Sequence, residues 1–271
     1  VHHTLDLSER LEIQSRRYLY AAAPAGSGGA VTGLPGTAAA MLLLSLMPSP
    51  IMNRVIGLPG DAPLAPSTLA SIRQAFRKSG LPHFWIHAWD LPGHATLRDS
   101  LAAQGGELQG GWTKFLYELD ALTPPPATDT PLYVRAARPD EAGVSGQIIC
   151  RSFGMPDTLL PWMSAFVGRP QWQVFLACGA DDVPVASGAV LIAGAQAWLG
   201  IGATLPEARG QGAQQLLLAT RLAAAKAAGC RLASIETEAA EPGEHRHSLS
   251  NIRRAGFREV GTRLNYLFKA D

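Results

Sequence analysis

"PEARGQGAQQLLLATRLAAAKAAGC", Pro206 to Cys230, holds the loop-to-helix step on which the reading of the second half of the chain turns. Arg209-Gly210-Gln211-Gly212 stands at the mouth of a run of Ala, Leu, Gln and Lys, all good helix formers. Glycine forms helix poorly, so its place at the opening needs a reason. A helix N-terminus presents N–H groups without intrahelical partners and the positive end of the helix dipole. Glycines ahead of it remove side chains, and an anion can then reach those N–H groups. Arg209 adds a charged donor. The stretch therefore predicts a pyrophosphate cradle. Two familiar phosphate-binding patterns do not fit. The dinucleotide fingerprint G-x-G-x-x-G meets Gln215 where its third glycine belongs, and the phosphate loop ending in G-K-S/T finds no lysine after these glycines.

Around the cradle, elements alternate. "LYVRA" (Leu132–Ala136) reads as a short strand, and Pro139-Asp140-Glu141 opens a helix. A second helix is expected over Thr158–Val167. Three strands follow, with turns at Gly179–Asp182 and Ala193–Ala195, and then the helix that begins at Gly212. "RLASIETE" (Arg231–Glu238) is a strand, Ser248–Arg254 a helix ending at Gly256, and "TRLNYLFKA" the last strand. The order is β-α-α-β-β-β-α-β-α-β, an α+β plan.

"TPPPATDTP" (Thr123–Pro131) breaks the chain, because consecutive prolines continue neither a helix nor a central strand. The half before it echoes the half after it. "GGELQGGWTKFLYELD" (Gly105–Asp120) aligns without gaps on "GFREVGTRLNYLFKAD" (Gly256–Asp271) at an offset of 151 residues. Gly105/Gly256, Gly110/Gly261, Leu116/Leu267 and Asp120/Asp271 coincide. Upstream of each copy run strand, helix and strand, in the first half as "NRVIGL", Ser67–Ser79 and "HFWIHA". Matching order at a fixed period is the mark of a repeat.

Pro206 to Gln214 resembles the signature of the GNAT superfamily of acyl-coenzyme A-dependent N-acetyltransferases. That signature, Q/R-x-x-G-x-G/A, follows a strand and a proline and opens a helix. The proline, Arg209 and Gly212 are kept; Gln214 replaces the final small residue. "LYVRAARPDE" and "SLSNIRRAGF" (Ser248–Phe257) extend the resemblance over the second half. It implies an α+β fold of tandem GNAT-like domains, each a mixed, mostly antiparallel sheet flanked by helices. Residues 1–122 would be a degenerate domain, 123–131 a Pro-rich linker and 132–271 the acetyltransferase domain. "GLPGDAPLAPSTL" (Gly57–Leu69), at the cradle's place in the first half, has no R-x-x-G step into a helix.

By the same resemblance the donor is acetyl-coenzyme A (acetyl-CoA), with a pantetheine arm between strand Trp198–Thr204 and strand Arg231–Glu238. Its amide would meet the backbone at Gly202, Ala203 and Thr204, with the pyrophosphate on Arg209, Gly210, Gln211, Gly212, Ala213 and Gln214. Asn251 stands where members place a polar residue near the coenzyme. Gly200 and Gly202 inside a strand suit a bulge or a close backbone approach. Many members use a tyrosine four residues before the Gly-Phe glycine as acid; here that position is Ile252, which leaves Ser250, Tyr266 or a water. Glu238 is the candidate base, with Glu236 two residues earlier on the same strand face. The expected reaction moves an acetyl group to the primary amine of a small molecule. Alternatives are a coenzyme-binding regulatory module without catalysis, a longer acyl donor, or a protein amine.

Composition narrows the rest. The formal net charge is +1, so nothing in the total calls for nucleic acid or an acidic membrane. Hydrophobic residues reach 47%, enough for a substantial core. The three cysteines, Cys150, Cys178 and Cys230, are widely spaced, which argues against a disulfide framework or a zinc site and fits a reducing cytoplasm. Thr37–Met47 is too short to span a bilayer, and no signal peptide is expected. His245-Arg246-His247 lacks further ligands for a metal and reads as a surface loop near the acceptor. Trp162 and Trp172 read as core before anything else. A homodimer is left open.

Overall fold

The computed structural model describes residues 2–121, 130–240 and 247–271. Most of the Thr123–Pro131 linker, and His245 and Arg246 of the histidine loop, lie outside the described residues. The chain divides into two compact units. The first draws on Val1–Lys114, Thr237–Glu244 and Val260–Asp271, the second on Phe115–Glu236 and His245–Glu259. The units are thus not contiguous halves: the C-terminal residues from Val260, assigned to the second domain from sequence, belong with the first.

The first unit contains helix α1 (His2–Ala21), strands β1 (Ala30–Gly33), β2 (Ala40–Leu43) and β3 (Arg54–Ile56), helix α2 (Pro66–Lys78), β4 (His83–Trp89), α3 (Ala95–Ala103) and the start of β5 (Glu107–Glu118). The last strand of the chain, β11 (Arg258–Lys269), pairs antiparallel with the whole of β4, from Arg263↔Trp89 to Lys269↔His83. That pairing explains the grouping. β4 is parallel to β3 on its other side, so without β11 its second edge would be bare. β4 and β11 send alternate residues to opposite faces. Phe84, Ile86, Tyr266 and Phe268 join Leu69, Ile72 and Phe76 of α2 and Leu97 and Leu101 of α3 in an apolar core. Phe84 stacks on Phe76 at 4.2 Å and on Phe268 at 5.9 Å.

His87, Arg263 and Asn265 alternate with those core residues, and charge gathers there. α1, which the sequence reading did not include, buries Ser8, Glu9, Glu12, Ser15 and Arg16 along with its leucines. The Glu12 carboxylate lies 2.6 Å from Arg54, 2.7 Å from Lys114 and 2.6 Å from Arg263. Burial alone would raise the pKa of Glu12, but these cations and Arg16 outweigh it and hold the group well below the usual carboxylate range. For Glu9 the balance is reversed: burial prevails over Arg263 and pushes it up.

The second unit follows the expected order closely: β6 (Tyr133–Ala136), α4 (Ala142–Phe153), α5 (Leu160–Ser164), β7 (Trp172–Cys178), β8 (Pro184–Ala193), β9 (Gln196–Thr204), α6 (Ala213–Ala227), β10 (Leu232–Glu238) and α7 (His247–Arg254). The strands lie in the order β10-β9-β8-β7-β6. β6 to β9 pair antiparallel, β7–β8 and β8–β9 through hairpin turns and β6–β7 through α4 and α5; β9 and β10 are parallel and need the crossover that α6 supplies. Trp162 and Trp172 are buried, as their reading as core residues requires. Cys150, Cys178 and Cys230 are free thiols, and burial raises the pKa of each.

The repeat has a structural counterpart. β5 spans Glu107–Glu118 and β11 spans Arg258–Lys269, the same 151-residue offset at both ends. Gly105 and Gly256, one step before each strand's helix-to-strand turn, have φ of 86° and 91°.

Candidate active site

The cradle residues assigned from sequence all fall in the second unit. β9 starts with a strand on either side. Its register with β10 is Leu232↔Gln196, Ala233↔Ala197 and Ser234↔Trp198, and it stops there. Its register with β8 continues to Ala186↔Thr204. Among the described residues, Leu199 to Thr204 therefore have a registered strand on one edge only, as the resemblance implied.

A bulge accompanies the parting. Ser187 pairs with Ala203 and Ala189 with Gly200, so Gly188 alone faces Ile201 and Gly202. Ile201 has φ 53°, a left-handed conformation that is strained for a β-branched residue. A bulge bends its strand and sharpens its twist. Gly202 is exposed, Ala203 buried and Thr204 half-buried.

After β9, Pro206–Ala208 makes one 3₁₀ turn and Arg209 is extended. Gly210 and Gly212 take φ of 79° and 81°, which an L side chain adopts only with strain. A Cβ built at Gly210 meets nothing within 4 Å, so the space beside the loop is open. Gly212 caps α6 with no side-chain hydrogen bond, and no acidic residue lies in the first turn. Leu216 N–H is the first to bond back, to the Gly212 carbonyl. The N–H groups of Ala213, Gln214 and Gln215 have no intrahelical partner and lie at the positive end of the dipole. These donors, the open space at Gly210 and the exposed Arg209 fit a pyrophosphate. Thr130 Oγ1 donates to the Gln211 carbonyl at 2.6 Å and ties the loop down.

Gln214, the departure from the signature, is held by α7. Its Nε2 donates to Ser248 Oγ at 3.1 Å, and Asn251 Nδ2 donates to its Oε1 at 2.8 Å. The side chain is thereby committed to α7, and Asn251 is brought to the first turn of α6. Ser250 sits on the same short helix, half-buried, and Ile252 is buried at 1% exposure.

The remaining candidates stand elsewhere. Tyr266 lies on β11 in the apolar core of the first unit, where burial raises its pKa. Glu238 ends β10, four residues past the last one paired with β9, in the part of the strand grouped with the first unit. Among the described residues no cluster of His, Cys, Asp and Glu could hold a metal ion. No helix among the described residues is long and apolar enough to cross a membrane.

Two features of the site went unread in the sequence. The Trp198 indole covers Gly200 so closely that a Cβ there would fall 1.9 Å from a ring carbon. The spacing W-x-G was visible, but nothing in it showed which way the ring turns. Arg221 of α6 is buried beside the bulge. Its Nε donates to the Leu217 carbonyl at 3.0 Å, and its Nη1 to the carbonyls of Ala189 at 3.2 Å and Gly200 at 3.3 Å. Its only signal was a single arginine inside an Ala- and Leu-rich helix.

No family model matches the chain, and no curated protein does. Solved structures do. A GCN5-related N-acetyltransferase from Kribbella flavida matches with a TM-score of 0.65 at 19% identity, over 97% of this chain and 94% of its own. One from Sphaerobacter thermophilus gives 0.63 at 16% identity, over 88% and 82%. A tandem GNAT protein from the clavulanic acid biosynthesis pathway gives 0.59 at 17%, over 89% and 85%. These identities are low and the likeness is one of architecture: the chain has the fold of the GCN5-related N-acetyltransferases.

Proposed function

We propose that the protein is an N-acetyltransferase that moves an acetyl group from acetyl-CoA to the primary amine of a small molecule. The observation that carries this is the sequence of features in the second unit. β9 parts from β10 after Trp198, bulges at Ile201–Gly202, and leads into a helix N-terminus whose cap position, Gly212, makes no side-chain hydrogen bond, behind two left-handed glycines.

In this proposal Arg209, Gly210, Gln211, Gly212, Ala213 and Gln214 hold the pyrophosphate through backbone N–H groups and one guanidinium. Asn251 steadies Gln214. The open edge of β9 at Gly202, Ala203 and Thr204 offers backbone partners to an amide-bearing arm. The coenzyme supplies an activated acyl group as a thioester. A backbone N–H on the open edge polarises the carbonyl oxygen. The acceptor must lose a proton, since an ammonium has no lone pair, and Glu238 is the proposed base, with Glu236 behind it on the strand. Ser250 or a water returns a proton to the thiolate. Glu238→Gln should lower turnover at least tenfold with less than a threefold change in coenzyme affinity; equal turnover would remove Glu238 as the base.

Titration calorimetry with CoA and acetyl-CoA tests the proposal first, and folded protein that binds neither at high micromolar concentration refutes it. Thiol release with a panel of amines then separates an enzyme from a coenzyme-binding module without chemistry. Ile252, buried where the family's tyrosine stands, is the observation that favours the module.

A further inference from the structure

Arg221 is 2% exposed and, among the described residues, faces no carboxylate. Its hydrogen-bond partners are backbone carbonyls, those of Ala189 on β8 and Gly200 on β9 flanking the bulge. Burial lowers its pKa to about 10, so it remains a cation at neutral pH. The other buried cations described above, Arg54, Lys114 and Arg263, close on Glu12. A buried charge without a counter-charge is heavily penalised by desolvation. A neutral amide could bond the same carbonyls without that penalty. What the guanidinium adds is charge, in a particular place. A Cβ built on Gly202 would lie 3.4 Å from Arg221 Nη2, and one on Gly188 3.1 Å from its Cζ. Glycine at 202 puts no side chain between the cation and that part of β9, and glycine at 188 lets the guanidinium lie close against β8 opposite the bulge.

We propose that Arg221 is a positioning residue for acyl transfer: its buried charge fixes the bulge of β9 and supplies positive potential beneath Gly202 for negative charge that develops on a thioester lodged beside that strand. This rests on the coenzyme assignment above. In the transfer, the amine lone pair forms the C–N bond and the carbonyl oxygen takes up negative charge. That charge returns as the C–S bond breaks and the electron pair leaves with sulfur. The nitrogen gives up a proton and the thiolate gains one. Negative charge thus appears on oxygen and then on sulfur, and a fixed cation in a low-dielectric site favours both.

The test is a ratio of affinities, which needs no acceptor. S-carboxymethyl-CoA carries a fixed carboxylate on the carbon bonded to sulfur; acetyl-CoA is neutral there. Wild-type protein should bind the carboxymethyl compound at least tenfold more tightly than acetyl-CoA in calorimetry. Arg221→Met, which keeps the length and loses the charge, should bring the two affinities within threefold, and Arg221→Lys should fall between. A role in folding alone would change both affinities together and leave the ratio intact. Equal affinities in the wild type, or a preference that survives in Arg221→Met, would overturn the proposal while the coenzyme assignment stands. Wild-type protein that binds no form of CoA overturns both. Should Arg221→Met fail to fold, Arg221→Gln replaces it, with the same loss of preference expected and the same surviving preference overturning the proposal.

Discussion

Gly212 holds φ at 81° where α6 begins, and the cradle depends on what a side chain would do there. Gly212→Ala adds left-handed strain of roughly 1–2 kcal/mol and one methyl group. Gly212→Glu adds the same strain, more bulk and a negative charge facing the anion site. We expect the alanine variant to bind CoA with affinity reduced less than tenfold and the glutamate variant to lose measurable binding; wild-type affinity in the latter would move the pyrophosphate elsewhere. Gly200 poses a packing question instead. Its Cβ would enter the Trp198 ring, so Gly200→Ala must displace an indole, an overpacking that typically costs about 1–3 kcal/mol. Urea unfolding should show that loss in Gly200→Ala, and much of the added penalty should disappear in the background of Trp198→Phe. The glycines of the cradle were legible in the sequence because a poor helix former at a helix mouth contradicts its surroundings. Gly200 was legible only as an oddity within a strand, because the ring that demands it comes from a rotamer choice that no spacing records.

Among the elements, α1 joins its sheet in an unusual way. Glu12 meets cations from β3, β5 and β11, which makes one carboxylate the meeting point of a helix and three strands. Removing one partner of a buried ion cluster leaves the others uncompensated, and Glu12→Gln should destabilise the protein by about 3–5 kcal/mol in urea titration at neutral pH. The pH dependence has a definite sign. The pKa of Glu12 is depressed in the fold, so its contribution is complete above the unfolded value, about 4.3, and is lost as pH falls toward the folded one. The gap between wild type and Glu12→Gln should therefore narrow below about pH 4; a gap that stays constant to pH 3 would show that the carboxyl has the same pKa in the folded and unfolded chain. No periodicity argument finds α1. Its buried face is Ser8, Glu9, Glu12, Ser15 and Arg16 as much as leucine, and hydrophobic patterning cannot see a helix that buries charge. The second unit was far easier to read. Its strands alternate, its turns carry Gly, Asp and Pro, and its helices have marked starts and stops.

At the scale of the whole molecule, the proline-rich break drew attention to a boundary in sequence, while strand pairing sets the boundary in space. β4 takes its antiparallel neighbour from the last residues described, so a fragment of residues 1–122 lacks a central strand of its own unit. Such a fragment should show no cooperative thermal transition, and the same fragment with residues 256–271 fused through a flexible linker should regain one. Cooperative melting of the short fragment would show that β11 is dispensable. The repeat in sequence gave no warning, because two similar strands 151 residues apart look alike whichever unit each completes.

The membership of β11 also sets an order of events during synthesis. Lys114 leaves the ribosome 146 residues before Val260 does, and at ordinary elongation rates that gap lasts roughly 7–30 s. Throughout that interval the nascent first unit has an apolar core with an open strand edge, while β6 to α6, whose pairings are local, can already assemble. The early strands of the first unit thus wait on residues made much later, and their open edge is available for wrong pairings in the interval.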